Sequence, residues 1–381
     1  MGYSLEDKLV VGIATRALFD LEESNRVFET EGLAAYREYQ RAREGTPLAP
    51  GTAFDVIRGL LGINRRAGKN LVEVIVMSRN DAESAVRVFN SIEHYKLPIE
   101  RGVFRSGRDP WPYLAAFNCS LFLSVDSKDV VQALEAGVPA ALVLEPPDAA
   151  RADEEDTEVR IALDGDAVLF GDESEYLYQT FGLDEFHRHE TEQVAVPMSP
   201  GPLAPFLRAL HRLQAEFPEG ESPVRTALVT SRNAQALMRV INTLRSWGVH
   251  IDETFSLGGI DKTEVLGIFR PHIFFDDQMA HLESARRVAP SAQVPRRATQ
   301  LEAFGDVGAA EARVEPLVVV PPSRLPTSVT RPGSPGTAPA ARPQARGARA
   351  PRAASAPQAS APQAPAAQAP AMGLGEALPR R

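Results

Sequence analysis

A chain of 381 residues, 44% of them apolar, is long enough to build two ordinary domains with full cores. Its formal charge of -9 excludes a general nucleic-acid binder, which needs a basic field to displace counterions from phosphates, but it permits a local positive spot for a small anion. Cys119 is the only cysteine, so an intramolecular disulfide and a cysteine-cluster zinc site are both excluded.

The first residues, Met1-Gly-Tyr-Ser-Leu-Glu-Asp-Lys8, are polar and lack the long apolar stretch of a signal peptide, and no run reaches membrane-spanning length. The expectation is a soluble, cytoplasmic protein with no membrane partner. Apolar runs at 74–78 and 121–125 read as buried strands, and Pro47-Leu-Ala-Pro50 opens a helix-like segment. Residues 146–157 are rich in proline and like charges and read as an exposed acidic linker. Beyond it, Arg160-Ile-Ala-Leu-Asp164 is a third strand-like run, closed by Asp164-Gly165-Asp166. Residues 205–214 carry a helical pattern, Ala227-Leu-Val-Thr230-Ser231 is a strand ending in a hydroxyl pair, and Lys262 follows Gly258-Gly259 in a polar loop. The run His272-Ile-Phe-Phe-Asp276-Asp277 ends in two more carboxylates. After about Val320, Pro, Ala, Gln, Arg and Ser dominate, with too few large apolar side chains to offset ordering entropy, and a disordered tail is expected over 321–381.

Two carboxylates crowded at a buried strand end repel each other and are penalised by burial, so the pair at Asp164 and Asp166 asks for a cation or a reaction. Each signal alone has a bland reading: an acid pair as a turn, a hydroxyl as a helix cap, a lysine as surface. Their conjunction favours an active site, because strand ends of an open α/β sheet converge on one edge, where such folds bind ligands.

In their order, acid pair, hydroxyl, lysine and acid pair resemble the haloacid dehalogenase superfamily of phosphohydrolases. Leu163-Asp-Gly-Asp-Ala-Val-Leu-Phe170, Thr243-Leu-Arg-Ser-Trp-Gly248 and Arg270-Pro-His-Ile-Phe-Phe-Asp-Asp-Gln-Met-Ala-His281 resemble more narrowly the cytosolic 5′-nucleotidase type I family, as do Arg16-Ala-Leu-Phe-Asp20-Leu-Glu-Glu-Ser24 and Phe89-Asn-Ser-Ile-Glu-His-Tyr95. The resemblance implies a magnesium-dependent hydrolase that removes the 5′-phosphate from nucleoside monophosphates, AMP above all. By that resemblance Asp164 is the nucleophile, Asp166 the general acid and base, and Thr230, Ser231 and Lys262 bind the phosphoryl oxygens. Mg2+ is expected on Asp164, Asp166 (through its carbonyl), and Asp276 or Asp277. Phosphotransfer to a nucleoside acceptor and a non-catalytic nucleotide-binding protein are the alternative functions, and oligomerisation is left open.

The chain also repeats itself. Residues 17–24 parallel 168–174, Pro47-Leu-Ala-Pro50 recurs as Pro202-Leu-Ala-Pro205, 74–80 recur as 227–233, Arg87-Val-Phe-Asn90 as Arg239-Val-Ile-Asn242, and 121–126 as 273–277, with an offset of about 150 to 155 residues. This predicts two tandem Rossmann-like units of the haloacid dehalogenase type, a degenerate copy over 1–145 and a catalytic copy over 158–297, with 298–320 as an extension of uncertain character. Ile13 and Thr15 are read opposite Asp164 and Asp166, Pro110 opposite Lys262 and Ser124 opposite Asp276. With so few residues between Asp166 and the next strand, copy one is expected to cover the site, and its polar residues Arg79, Asn80, Asn90 and His94 are the candidates for nucleoside binding.

Overall fold

The computed structural model describes residues 3–145 and 158–296, so the predicted linker, extension and tail lie outside the described residues. Among the described residues ten strands form one sheet: β1 (Leu9–Ala14), β2 (Val72–Ser78), β3 (Arg101–Phe104), β4 (Leu121–Ser124), β5 (Ala140–Leu144), β6 (Val159–Leu163), β7 (Val224–Thr230), β8 (Glu253–Ser256), β9 (Ile273–Asp276) and β10 (Ser291–Gln293). Their order across the sheet is β3-β2-β1-β4-β5-β10-β9-β6-β7-β8. Within each half every pairing is parallel, which is why β1 and β2 read as unbroken apolar runs, buried on both faces by helices. The junction differs. β5 and β10 pair antiparallel, Ala292 opposite Val143.

That one antiparallel pair fixes where function can lie. It makes the two halves run in opposite directions, so the C-terminal strand ends of β1, β2 and β4 lie at one edge of the sheet and those of β6, β7 and β9 at the other. The first half therefore does not cover the strand ends where Asp164 stands. Nor are the halves separate globules. The helix Phe54–Ala67 buries Phe54, Ile57, Leu60 and Leu61 on one helical face and packs on β6, while Ala204–Gln214, started by Pro205, packs on β1. One hydrophobic cluster accordingly joins Ile13 and Ile57 with Leu163 and Phe206.

Both halves carry a helical hairpin after their first strand, bent at the same point. Gly32 (φ 84°, ψ −176°) interrupts Glu22–Ala42, and Gly182 (φ 86°, ψ −177°) separates Glu173–Phe181 from Leu183–Glu192. A positive φ of this kind is cheap only for glycine. Among the described residues no helix is long and apolar enough to cross a membrane.

Candidate active site

Asp164 is the residue directly after β6, and its backbone N–H donates to the Phe275 carbonyl of β9 at 2.8 Å, which fixes the carboxylate beside the end of β9. The polar loop after β8 brings in Lys262. Its ammonium lies 2.8 Å from Asp164 Oδ1 and 2.7 Å from Asp276 Oδ2, with all three side chains buried and the Phe274 ring beneath the ammonium. Asp276 also accepts from the Gln278 backbone N–H at 2.8 Å and meets His281 Nδ1 at 3.1 Å.

The electrostatics follow from this crowding. Burial pushes the Asp164 carboxyl up to about 6, with the Asp276 carboxylate adding to the rise and Lys262 opposing it. Burial would raise Asp276 as well, but Lys262 and His281 hold it below the usual carboxylate range. Lys262 is buried yet stays firmly protonated between its two carboxylates. Asp277, which takes Arg296 as an ion-pair partner, is pushed up to about 7 by burial and by the nearby carboxylates of Asp164 and Asp276. Negative charge is thus in excess here even with Lys262 present.

That excess is what a hard divalent cation would relieve, and the donor set fits one: oxygen atoms of Asp164 and Asp276 and a nitrogen of His281 all lie within 4.8 Å of one another. His281 was not singled out as a ligand from the sequence. Its signal is positional, since it stands in the first turn of Met279–Ala285, directly above the end of β9.

Asp166 lies in an unusual turn. Residues Gly165–Leu169 close through Phe170 N–H to the Gly165 carbonyl at 2.9 Å, one residue wider than an α-helical turn, and Ala167 adopts φ 59°. Such widened turns and left-handed non-glycine residues concentrate at functional sites. Gly165 packs closely: a Cβ there would stand 3.3 Å from the Thr230 hydroxyl, so a larger residue would make Thr230, at the end of β7, give by a few tenths of an ångström. The Asp166 carboxylate faces Arg232, which grips it with two bonds of 2.8 and 2.7 Å. Arg232 is itself buried against Glu190, which also accepts from Arg239 at 2.9 Å and from the Ser174 hydroxyl at 2.8 Å. The guanidiniums hold Glu190 below its ordinary range despite its burial. Sequence reasoning missed Arg232 and Glu190, because nothing in the spacing announces that residues 166, 190 and 232 converge.

The structure therefore brings Asp164, Asp276, Asp277, Lys262 and Thr230 together at one sheet edge, with Asp166 beside them and Ser231 exposed at the rim. It does not bring Arg79, Asn80, Asn90 and His94 there. Arg79 is bound by Asp109, Asp126 and Asp129 at the opposite edge, where Asn80 also lies. Asn90 ties its helix to the Glu44 carbonyl at 2.9 Å, as Asn242 ties its own to Val194 at 2.9 Å, and His94 is an exposed residue in the last turn of Ala85–His94. The element that does approach Asp166 is the hairpin between Asp166 and β7: Phe186 lies against the Arg232 guanidinium that holds Asp166, and His187 Nε2 is 3.4 Å from Asn233 Nδ2.

The sheet register also shifts two correspondences. Ser78 at the end of β2 stands where β7 has Thr230, so Asn80 and not Arg79 lies opposite Arg232. β1 pairs Ile13 with Leu123 and β6 pairs Leu163 with Phe275, so with Ser124 opposite Asp276 it is Ala14, not Ile13, that stands opposite Asp164. The slip arises because one extra residue is absorbed in the turn at Gly165–Leu169; the matching turn Thr15–Leu18 is an ordinary α-helical one.

Comparison with known proteins agrees with this geometry. A family model described as 5′-nucleotidase matches residues 1–301. Human cytosolic 5′-nucleotidase 1B is 39% identical over 295 residues, covering 74% of this chain and 48% of the human protein, so the chain spans about half the length of this curated relative. A crystal structure of histidinol dehydrogenase from Elizabethkingia anophelis aligns with 75% of this chain and 52% of that one, at 10% identity and a TM-score of 0.20, a likeness too slight to bear on the fold. With the family model spanning both halves of the sheet, the chain belongs to the 5′-nucleotidase family, and its motifs and this relative place it with the cytosolic type I members.

Proposed function

We propose that this protein hydrolyses nucleoside 5′-monophosphates, AMP preferentially, to nucleoside and phosphate in the cytoplasm. The observation that carries the reading is the buried Asp164–Lys262–Asp276 cluster at the ends of β6 and β9, beside Thr230 and Asp166. A carboxylate oxygen of Asp164 attacks phosphorus as the bond to the ribose 5′-oxygen breaks, giving an aspartyl-phosphate. Asp166, taking a proton from solvent as it leaves Arg232, gives that proton to the departing alkoxide, then takes one from the water that attacks phosphorus and frees Asp164. For this Asp166 exchanges its bidentate hold on Arg232 for the leaving oxygen, a short movement of a partly exposed side chain. Lys262 and the Thr230 hydroxyl bind the transferring oxygens, and Lys262 keeps Asp164 ionised and aimed. A divalent cation, Mg2+ by the family resemblance, would be held by oxygen atoms of Asp164, the Asp166 carbonyl, and Asp276 or Asp277, with His281 beside Asp276, and would offset the charge of the phosphate dianion. The hairpin Glu173–Phe181 and Leu183–Glu192 shields the site from water. The shared strand order and hairpin bend support an origin of the two halves by tandem duplication.

The test is phosphate release from a panel of nucleoside monophosphates by the full chain, with and without Mg2+ and with an acceptor nucleoside. Mg2+-dependent release, fastest with AMP, is expected. Phosphorylation of the acceptor in place of release would make the protein a phosphotransferase, and no turnover of any substrate would leave it a nucleotide-binding protein.

A further inference from the structure

The second sheet edge also holds a cavity. At the C-terminal ends of β1, β2 and β4 a cavity of about 520 Å³ opens among the residues standing opposite the reactive groups: Ala14 in place of Asp164, Ser124 in place of Asp276 and Pro110 in place of Lys262. It keeps the location of a ligand site in an open α/β sheet and has lost the means to react. Its floor is built for binding. Thr15 is 4% exposed and lines the cavity, yet its hydroxyl has no hydrogen-bond partner among the described residues, an arrangement that costs free energy unless a ligand meets it. One wall is aromatic: Phe28 and Tyr36 stand edge to face, ring centres 6.0 Å apart.

The charge of the cavity selects the ligand. Arg79 is already shared by Asp109, Asp126 and Asp129, and Arg37 is paired with Asp81, so both guanidiniums are spent and only the exposed Arg16 remains at the rim. Burial pushes the Asp129 carboxyl up to about 6 against the pull of Arg79, and the three carboxylates of the lining, Asp81, Asp126 and Asp129, offset its three guanidiniums. A phosphate dianion would find no net positive charge here. Sugar hydroxyls need none, since they donate to carboxylates. An aromatic base would find the Phe28 and Tyr36 rings.

We infer that this cavity is a second, non-catalytic site for an uncharged nucleoside, bound with its base against Phe28 and Tyr36 and its sugar hydroxyls toward Thr15 and Asp126. The choice of a nucleoside among flat hydroxylated ligands rests on the proposed nucleotidase reading, whose product it would be. The antiparallel junction of β5 and β10 puts this site on the far edge from Asp164, so product could occupy it without blocking substrate.

Calorimetric titration of the full chain with adenosine and with AMP, in the presence of a chelator, tests this without turnover. Adenosine is expected to bind the first-half site at least tenfold more tightly than AMP does. Thr15→Val should weaken adenosine binding about tenfold while the protein melts no lower, since an unpartnered hydroxyl is replaced by a methyl of equal size. Phe28→Ala, at an exposed position, should weaken it similarly, and Asp126→Asn, which can still cap its helix, should narrow the preference over AMP. Adenosine binding that is absent, or unchanged in all three variants, would overturn the inference, as would tighter binding of AMP than of adenosine at the site these variants alter. Failure of the nucleotidase reading shows separately, as absence of phosphate release.

Discussion

The two halves of the sheet share one strand order and one hairpin bend, yet only one of them gathers reactive charge. Gln40 and Glu190 make the clearest contrast. In the first half Arg87 donates to the neutral Gln40 at 3.1 Å, and the network ends there, with Gln40 reaching the Tyr36 hydroxyl at 3.0 Å. In the second half the same helix position carries the carboxylate Glu190, which binds Arg239 and recruits Arg232, and Arg232 in turn holds Asp166. Phe186, where the first half has Tyr36, offers no hydroxyl to compete and instead packs against Arg232. The lesson is that the half with the proposed active site differs from its companion by more than Asp164 and Asp276. It also has a buried charge network and a turn widened by one residue, because a carboxylate at Asp166 needs both a partner and a place to stand.

The largest effect is expected from separating the halves. Residues 158–296 alone would expose the β10 edge that β5 covers and strip Ala204–Gln214 of its contact with β1, so this piece should be insoluble or unfolded where the full chain is soluble. A folded fragment, seen by circular dichroism and a cooperative melt, would show that the halves are independent.

Asp164→Asn should lower phosphate release by about 10⁴-fold or more with the fold retained, on the scale of losing a nucleophile. Placing an acid at the corresponding first-half position by Ala14→Asp should create no activity and should destabilise the chain, because no lysine waits there. Near wild-type turnover by folded Asp164→Asn would remove the distinction between the halves.

Glu190→Gln gives the second half the first half's side chain. With Arg239 left without its carboxylate and Arg232 held by Asp166 alone, a loss of about 3–5 kcal/mol is expected from urea unfolding. The reciprocal Gln40→Glu, beside the single Arg87, should change stability by no more than about 1 kcal/mol if that arginine compensates the new charge. Equal effects of the two substitutions would mean that the charge network is not what separates the halves.

The smallest effect concerns β1. Gly12 stands where β6 has Ala162, and a Cβ on it would come within 2.8 Å of Leu114 and 3.0 Å of Cys119. Gly12→Ala should therefore cost about 1–3 kcal/mol by overpacking. The double variant with Cys119→Ala should recover part of that loss, which the same unfolding measurement reads.

Much of this was legible in the chain itself. Apolar runs closed by Asp164, Thr230 and Asp276 announced parallel strands and the edge where they would meet, because a strand buried on both faces must be apolar until it leaves the sheet. The repeat of Arg87 and Asn90 as Arg239 and Asn242 matched two helices tied down alike, by Asn90 to the Glu44 carbonyl and by Asn242 to the Val194 carbonyl. What the chain could not announce were relations between segments far apart in sequence. The antiparallel pairing of Ala292 with Val143 is decided by how two finished half-sheets meet, and it alone turned the first half away from Asp164. The widened turn that makes Ala14 the counterpart of Asp164 emerged only from the register of neighbouring strands. Arg232 read as one polar residue among many until folding buried it between Asp166 and Glu190, because local pattern records which side chains seek the interior but not which charges will find each other there.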